Sequence, residues 1–211
     1  MLVIKSKGGA DVLMEVAVDS AQGVQLSGSN LTGADLSGMD FSGAHFKSCN
    51  FTDADCRFAK FTNATFQNCV LKRANFAEAV LTGADLSDAV LDGALMLAVN
   101  GSRVLLRHCK ANGADFSGAN LAESDCSFAE LRGTFSGANL KKANLYSVDF
   151  TGADLSKADL READMTGAKI ARADFTYAKL QGSIGTNGKP WGFTSRKNEK
   201  KPWWQVWRAA I

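Results

Sequence analysis

A single periodicity runs through most of this chain: a large apolar residue, here called the centre, occurs at every fifth position. The series begins at Leu26 and ends at Leu180, with an irregular stretch near position 100. One residue is missing between Leu131 and Phe135, where the step is four instead of five. Two residues before each centre stands a small side chain, usually alanine. Such regularity predicts one repetitive architecture along the chain rather than a mixture of elements.

The five-residue unit fits neither the 3.6-residue period of an α-helix nor the 2-residue period of a plain strand. Within a unit, the small residue and the centre are two positions apart, so both point to the same side of an extended chain. The residues that follow are rich in Gly, Ser, Thr, Asp and Asn, which are turn formers. Each unit is therefore a short extended side and a corner, and successive coils stack about 4.8 Å apart by strand-like pairing.

The unit Ala34-Asp35-Leu36-Ser37-Gly38 resembles the A(D/N)LxX motif of the pentapeptide-repeat family. The motif covers most of the chain and is specific for the fold. The resemblance implies an all-β protein, a right-handed quadrilateral β-helix (a pentapeptide-repeat solenoid) in which four units of five residues make one coil. About eight such coils give a rod roughly 40 Å long.

Stacking of coils predicts columns of equivalent residues. One interior column is expected to contain Leu36, Cys56, Phe76, Met96, Phe116, Phe135, Leu155 and Phe175. The column model also places all five cysteines inside, at small positions or at centres, where they act as small hydrophobic residues. These are Cys49, Cys56, Cys69, Cys109 and Cys126. No CxxC pair occurs, which argues against a disulfide framework or a zinc site.

Two positions depart from the repeat. Gly101 occupies a centre, so we expect a bulge or a packing defect in this coil. Leu97 and Leu105 face outward in the same register, either as an exposed apolar patch for a partner or as an adaptation to the defect. At the missing residue, Gly133 allows a tighter corner because it has no side chain.

The ends of the chain differ from the repeat and predict three regions. Residues 1–22 are expected to form a β-hairpin cap, with strands at 2–5 and 12–16. Residues 23–185 form the β-helix, and residues 186–211 form a basic linker followed by a short helix from Pro202 to Ile211. The candidate binding residues Trp203, Trp204 and Trp207 lie in that helix. Three roles for this tail stay open: capping the rod or forming a homodimer, binding a partner protein, or touching a membrane surface.

Composition restricts the location and the partners. The formal net charge is +2, so no strong global field favours direct nucleic-acid binding. No apolar run is long enough to span a membrane, and the first residues lack the apolar segment of a secretory signal. We therefore expect a cytoplasmic protein with a protein rather than a membrane as its macromolecular partner.

The sequence carries no motif for catalysis. Its two histidines, His45 and His108, are expected on separate coils without metal-ligand partners. GxSxG, HExxH and GxxxxGK[ST] are all absent. Aspartates are abundant because the repeat itself contains them, so paired carboxylates are weak evidence for acid–base chemistry. We predict that the protein is not an enzyme and needs no cofactor.

One outward column gathers carboxylates and is the second candidate binding surface. It contains Asp35, Asp55, Asp115, Asp154 and Asp174. Some members of the family are thought to imitate DNA in this way, binding type II topoisomerases such as DNA gyrase and conferring inhibitor resistance. The other interpretation is that Asp and Asn serve the corners. The first hypothesis for function is a rigid, non-catalytic protein-binding or structural scaffold of unknown physiological role, and topoisomerase binding is the alternative.

Overall fold

The corner of each five-residue unit is a β-turn with a constant geometry. In the computed structural model, which describes residues 1–9 and 11–191, the amide of Ala54 donates to the carbonyl of Phe51 at 2.9 Å. Asp53, the third residue of that turn, has φ of +59°. The equivalent residue has positive φ in every unit from Gly23 to Gly182 except at Gly133. A type II turn requires this conformation, which explains why glycine recurs at the end of the motif.

The turns connect coils that pair in parallel. Successive bridges join residues 20 positions apart, from Gln25 and His45 onward, and 19 apart across the missing residue, as in Asp115 and Thr134. Between these bridges the backbone bonds directly to the next coil, for example from the Leu36 amide to the Asp55 carbonyl at 2.8 Å. The chain therefore folds as a β-helix, as predicted.

The predicted interior columns form the core. Every member of the Leu36 column is at most 1% exposed, apart from Phe175 in the last coil, which is partly buried. All five cysteines are free and buried, which confirms that they serve as core residues. Burial raises the pKa of the Cys126 thiol to about 12, so this thiol stays protonated at neutral pH.

The coil around Gly101 contains no bulge, so that expectation is wrong. Gly101 keeps the register and donates its amide to Asn120 at 2.8 Å. A Cβ at this position would lie 3.1 Å from Leu121 and 3.4 Å from Val99. Val99 occupies a position where most units have alanine, and its larger side chain helps to fill the space that the glycine leaves. Leu97 is 36% exposed on the outer surface.

The missing residue changes one corner without breaking the stack. Gly133 does not have positive φ, and the next amide, of Thr134, bonds across to the carbonyl of Ala114 at 3.0 Å. A Cβ on Gly133 would lie 2.2 Å from that same carbonyl oxygen. Glycine is therefore required here for close backbone approach, whereas at the other corners it serves the turn conformation.

The N-terminal hairpin covers the edge of the first coils, as predicted. Strand β1 (Leu2–Ser6) pairs antiparallel with β2 (Val12–Val16). On its other side, β1 pairs antiparallel with β3 (Ala34–Asp35), the two-residue strand of the rod. Ile4 is fully buried against the core. The hairpin thus satisfies backbone groups that an open sheet edge would leave unpaired.

At the other end, the described chain folds back on the last coil. Pro190 pairs antiparallel with Ile184, and the Trp191 ring packs against Phe175 with centroids 5.8 Å apart. The predicted helix from Pro202 to Ile211 lies outside the described residues. Within the described ranges, we find no helix of the length and apolar character that crossing a membrane requires.

Candidate functional site

The structure brings the five predicted aspartates into one column, here called the Asp35 column. Consecutive parallel bridges join its members along the rod. They are Asp35, Asp55, Asn75, Leu95, Asp115, Thr134, Asp154 and Asp174. Three neutral side chains therefore interrupt the acidic series, and one of them, Leu95, is 39% exposed.

Each of these carboxylates also serves the corner that follows it. Asp35 Oδ1 accepts from the amide of Ser37 at 3.1 Å and from its hydroxyl at 2.7 Å. The equivalent amide bonds to Asp115, Asp154 and Asp174 are 2.8–2.9 Å long. Asn75 makes the same bond to the amide of Ala77 at 3.0 Å. These Asx turns explain Asp and Asn in the repeat, and they need an oxygen acceptor but no charge.

Asp55 differs from the other members because its charge is paired. Its side chain is only 7% exposed, and Arg57 donates to both of its oxygens at 2.7–3.1 Å. The hydrogen bond from Arg57 lowers the pKa of Asp55 against the opposing effect of burial. Asp55 therefore presents little free charge to a partner, and Asp35, Asp115, Asp154 and Asp174 are the carboxylates that remain.

Exposed aromatic rings at the corners form a second kind of surface, which was not predicted from the sequence. Phe58, Phe128 and Tyr177 are 56%, 51% and 82% exposed and have positive φ. The Phe128 ring stacks on His108 with centroids 5.1 Å apart and meets Tyr146 edge-on at 5.5 Å. Their signal in the sequence was an aromatic residue two positions after a centre, where the repeat otherwise favours turn formers.

An ion pair between two corners gives the rod a predictable response to acid. Arg132 donates to Asp149 at 2.6 Å, and the amide of Thr151 donates to it at 2.9 Å. Burial alone raises the pKa of Asp149, but these hydrogen bonds outweigh it and hold the pKa at about 2. Because this is below the ordinary value near 3.9, the pair stabilises the fold fully above about pH 4 and loses its effect as pH falls towards 2.

We therefore expect Asp149→Asn to flatten the acid dependence of stability. Between pH 5 and pH 2, the wild-type free energy of unfolding should fall by about 1–2 kcal/mol more than that of the variant. Denaturant unfolding at several pH values measures this difference. Parallel curves for the two proteins would contradict the assignment of the low pKa to this pair.

Among residues 1–9 and 11–191, no group of three or more His, Cys, Asp or Glu side chains is arranged to hold a metal ion. Trp203, Trp204 and Trp207 lie outside the described residues, so their role stays a prediction.

Comparison with known proteins identifies the class of this β-helix. The family model described as pentapeptide repeats matches in eight copies, over residues 22–55, 29–68, 59–96, 102–134, 134–167 and 149–184. These segments cover most of the chain. The protein therefore belongs to the pentapeptide-repeat family, as the resemblance implied.

The chain is also similar to solved structures of the family at low sequence identity. HetL, involved in heterocyst differentiation regulation in the cyanobacterium Nostoc sp. strain PCC 7120, is 23% identical, with 80% of this chain and 92% of HetL covered and a TM-score of 0.51. Full-length QnrB1, a plasmid-mediated fluoroquinolone resistance protein, is 22% identical, with 89% and 98% covered and a TM-score of 0.41. A comparison with curated proteins finds no match.

Proposed function

We propose that this protein is a rigid, non-catalytic scaffold that binds a protein partner along the Asp35 column. The observation that carries the proposal is the fixed register of this column, whose members apart from the buried Asp55 are exposed or half-buried, on a continuously hydrogen-bonded rod. In the proposed arrangement the rod is right-handed and four-sided, works in the cytoplasm, and is divided into the cap, rod and tail at residues 1–22, 23–185 and 186–211.

The backbone bonding supports rigidity. Each side of a coil exchanges backbone hydrogen bonds with both neighbouring coils. The Asp55 amide donates to Ala34 at 2.8 Å and its carbonyl accepts from Leu36, while Ala54 and Cys56 bond to Asn75 in the next coil at 2.9 and 2.7 Å. Side chains of one column are therefore held at the spacing of stacked strands, about 4.8 Å. A partner meets a preformed surface, so little conformational entropy is lost on this side of the interface.

Charge supports a partner with a basic surface. Four carboxylates of the Asp35 column keep one carboxylate oxygen outside the Asx bond, and Leu95 adds an exposed apolar contact between them. Mimicry of DNA towards a type II topoisomerase stays a prediction with no added support, because neutral residues interrupt the column and Asp55 is paired. Self-association through residues 203–211 also stays a prediction.

Charge removal without loss of the turns tests the proposal. The quadruple variant Asp35→Asn, Asp115→Asn, Asp154→Asn and Asp174→Asn keeps an oxygen acceptor for each Asx turn, as Asn75 does. The matched control carries the same change at Asp40, Asp85 and Asp159, which make the same bonds in other columns, and at Asp92, which accepts the amide of Asn112. Both variants should fold like the wild type, as circular dichroism and thermal unfolding will report.

The readout is quantitative affinity capture from cell extract at two salt concentrations. We expect proteins retained by the wild type and by the control to be lost by the Asp35-column variant, by at least about tenfold, which corresponds to roughly 1.4 kcal/mol. Equal capture by the two variants would contradict the proposal that this column is the binding surface.

A further inference from the structure

A groove lies beside the exposed aromatic rings, on a different column from Asp35. It encloses about 470 Å³ and is lined by Ser127, Phe128, Lys142, Asn144, Tyr146 and Asp164, with Ala143 and Glu162. Two lining residues, Asn144 and Asp164, belong to the column in which parallel bridges join Asp125, Asn144, Asp164 and Ile184. The lining combines two aromatic rings with the charges of Lys142, Glu162 and Asp164.

The aromatic wall is exposed and held in place. Phe128 is 51% exposed and Tyr146 is 43% exposed. Stacking of Phe128 on His108 and its edge contact with Tyr146 fix the ring. An exposed, fixed pair of rings is typical of a binding surface, because aromatic side chains supply contact area at little entropic cost.

The charges of the groove favour a basic and aromatic ligand. Asp164 accepts from the amide and the hydroxyl of Thr166 through Oδ1, at 2.9 and 2.6 Å, which leaves Oδ2 for a ligand. The other two charged lining residues, Lys142 and Glu162, pair with each other at 3.8 Å. The groove therefore offers the Asp164 carboxylate to a Lys or Arg side chain, and the rings of Phe128 and Tyr146 offer faces for cation–π contact or stacking.

The chain itself contains a segment of this chemistry. Residues 192–211 hold three tryptophans and five Lys or Arg against one Glu. The described chain ends at Trp191, next to Pro190, which pairs with Ile184 at the end of the column that contains the lining residues Asn144 and Asp164. The tail therefore departs beside the groove.

The tail is long enough to reach the groove. Asp125 lies three coil spacings from Ile184 in that column, which is roughly 14 Å. The linker from 192 to 202 spans up to about 36 Å when extended. A short tether also gives the tail an effective concentration near the millimolar range, which favours docking within one chain over docking between chains at ordinary protein concentrations.

We propose that the segment from Trp203 to Arg208 docks in this groove of its own chain, with its tryptophans against Phe128 and Tyr146 and Arg208, its one basic residue, over Asp164. This inference goes beyond the scaffold function and does not depend on it, because the groove and the Asp35 column lie on different columns. A docked tail leaves the Asp35 column uncovered.

Photocrosslinking in the full chain tests the docking. The photoreactive residue p-benzoylphenylalanine replaces Tyr146 in the groove. In the control it replaces Tyr177, which is nearer to the tail along the chain but lies in the column of corners that contains Phe58 rather than Phe128. After irradiation at micromolar concentration, we expect the probe at 146 to link to a peptide containing Trp203, Trp204 and Trp207 within one chain. Linkage between two chains, no linkage to the tail, or equal yield from position 177 would overturn the proposal.

Limited proteolysis of the full chain supplies a second measurement. Trypsin cleaves after Arg196, Lys197 and Lys200, and cleavage follows the population of undocked tail. We expect the variant Phe128→Ala with Tyr146→Ala to be cut at these sites at least about fivefold faster than the wild type. The matched control, Phe58→Ala with Tyr177→Ala, also removes two exposed aromatic rings and should be cut at the wild-type rate. Equal rates for the two double variants would contradict docking in the groove.

Discussion

Replacing Phe46 with alanine is expected to lower the free energy of unfolding by about 3–5 kcal/mol. The Phe46 ring is fully buried and contacts four other aromatic rings at centroid distances of 5.0–6.0 Å. Two of these rings belong to neighbouring sides of the same coil and two to the next coil. Since backbone bonds fix the coil spacing, the surrounding structure cannot collapse into the space, and the cavity persists.

Phe58→Ala is the matched control for this prediction. It removes the same side chain from a position that is 56% exposed, so the stability should change by no more than about 0.5 kcal/mol. Denaturant unfolding followed by circular dichroism compares the two variants. A similar small loss for both would contradict the packing of Phe46 in the core of the rod.

Gly133→Ala is the second substitution with a large expected effect, a loss of about 3 kcal/mol. The new Cβ would lie 2.2 Å from the carbonyl oxygen of Ala114 and 3.2 Å from its carbonyl carbon and amide nitrogen. These are backbone atoms, and that oxygen accepts the amide of Thr134 at 3.0 Å. Relief of the contact therefore requires a shift of one coil against the next.

Gly118→Ala separates close approach from turn conformation. Gly118 has φ of +65°, and a Cβ there meets nothing within 4 Å. The expected cost is about 1 kcal/mol, from the left-handed conformation alone. Equal destabilisation by the two substitutions would mean that the corner at Gly133 does not involve the tight backbone contact.

The five-residue period was sufficient to predict which residues form the core and which share a column. Side chains two positions apart on an extended segment must face the same way, so the interior positions follow from the sequence without knowledge of the whole fold. The prediction held even across the missing residue, where Thr134 takes its place between Asp115 and Asp154. The N-terminal hairpin followed from two apolar segments separated by glycines.

Features that depend on contacts between neighbouring coils were not predictable. The expected defect at Gly101 is absent because the side chains of Val99 and Val104 fill the space beside the glycine. A Cβ at position 101 would lie 3.4 and 3.5 Å from their methyl groups. The charge of Asp55 is neutralised by Arg57, a pairing that the column model did not include. The groove beside Phe128 arises because Phe128 and Tyr146, which are not exactly equivalent in the repeat, meet at one edge.

The sequence predicted that five aspartates share one column, and it left open whether they bind a partner or serve the corners. The structure shows that their oxygens serve the corners. A carboxylate can serve a turn and a partner at once, which is why exchange for asparagine is the informative change. The tryptophans of the tail stay outside this comparison because they lie outside the described residues.

Rigidity of the whole rod is the central claim, and amide hydrogen exchange on the full chain tests it most directly. We predict that amides bonded between coils exchange only through global unfolding, with equal protection before and after Gly133, for example at Asp55 and Asp154. Exchange about a hundredfold faster on one side of Gly133 would show that the two parts open separately. That result would contradict a single rigid scaffold with one fixed column of binding residues.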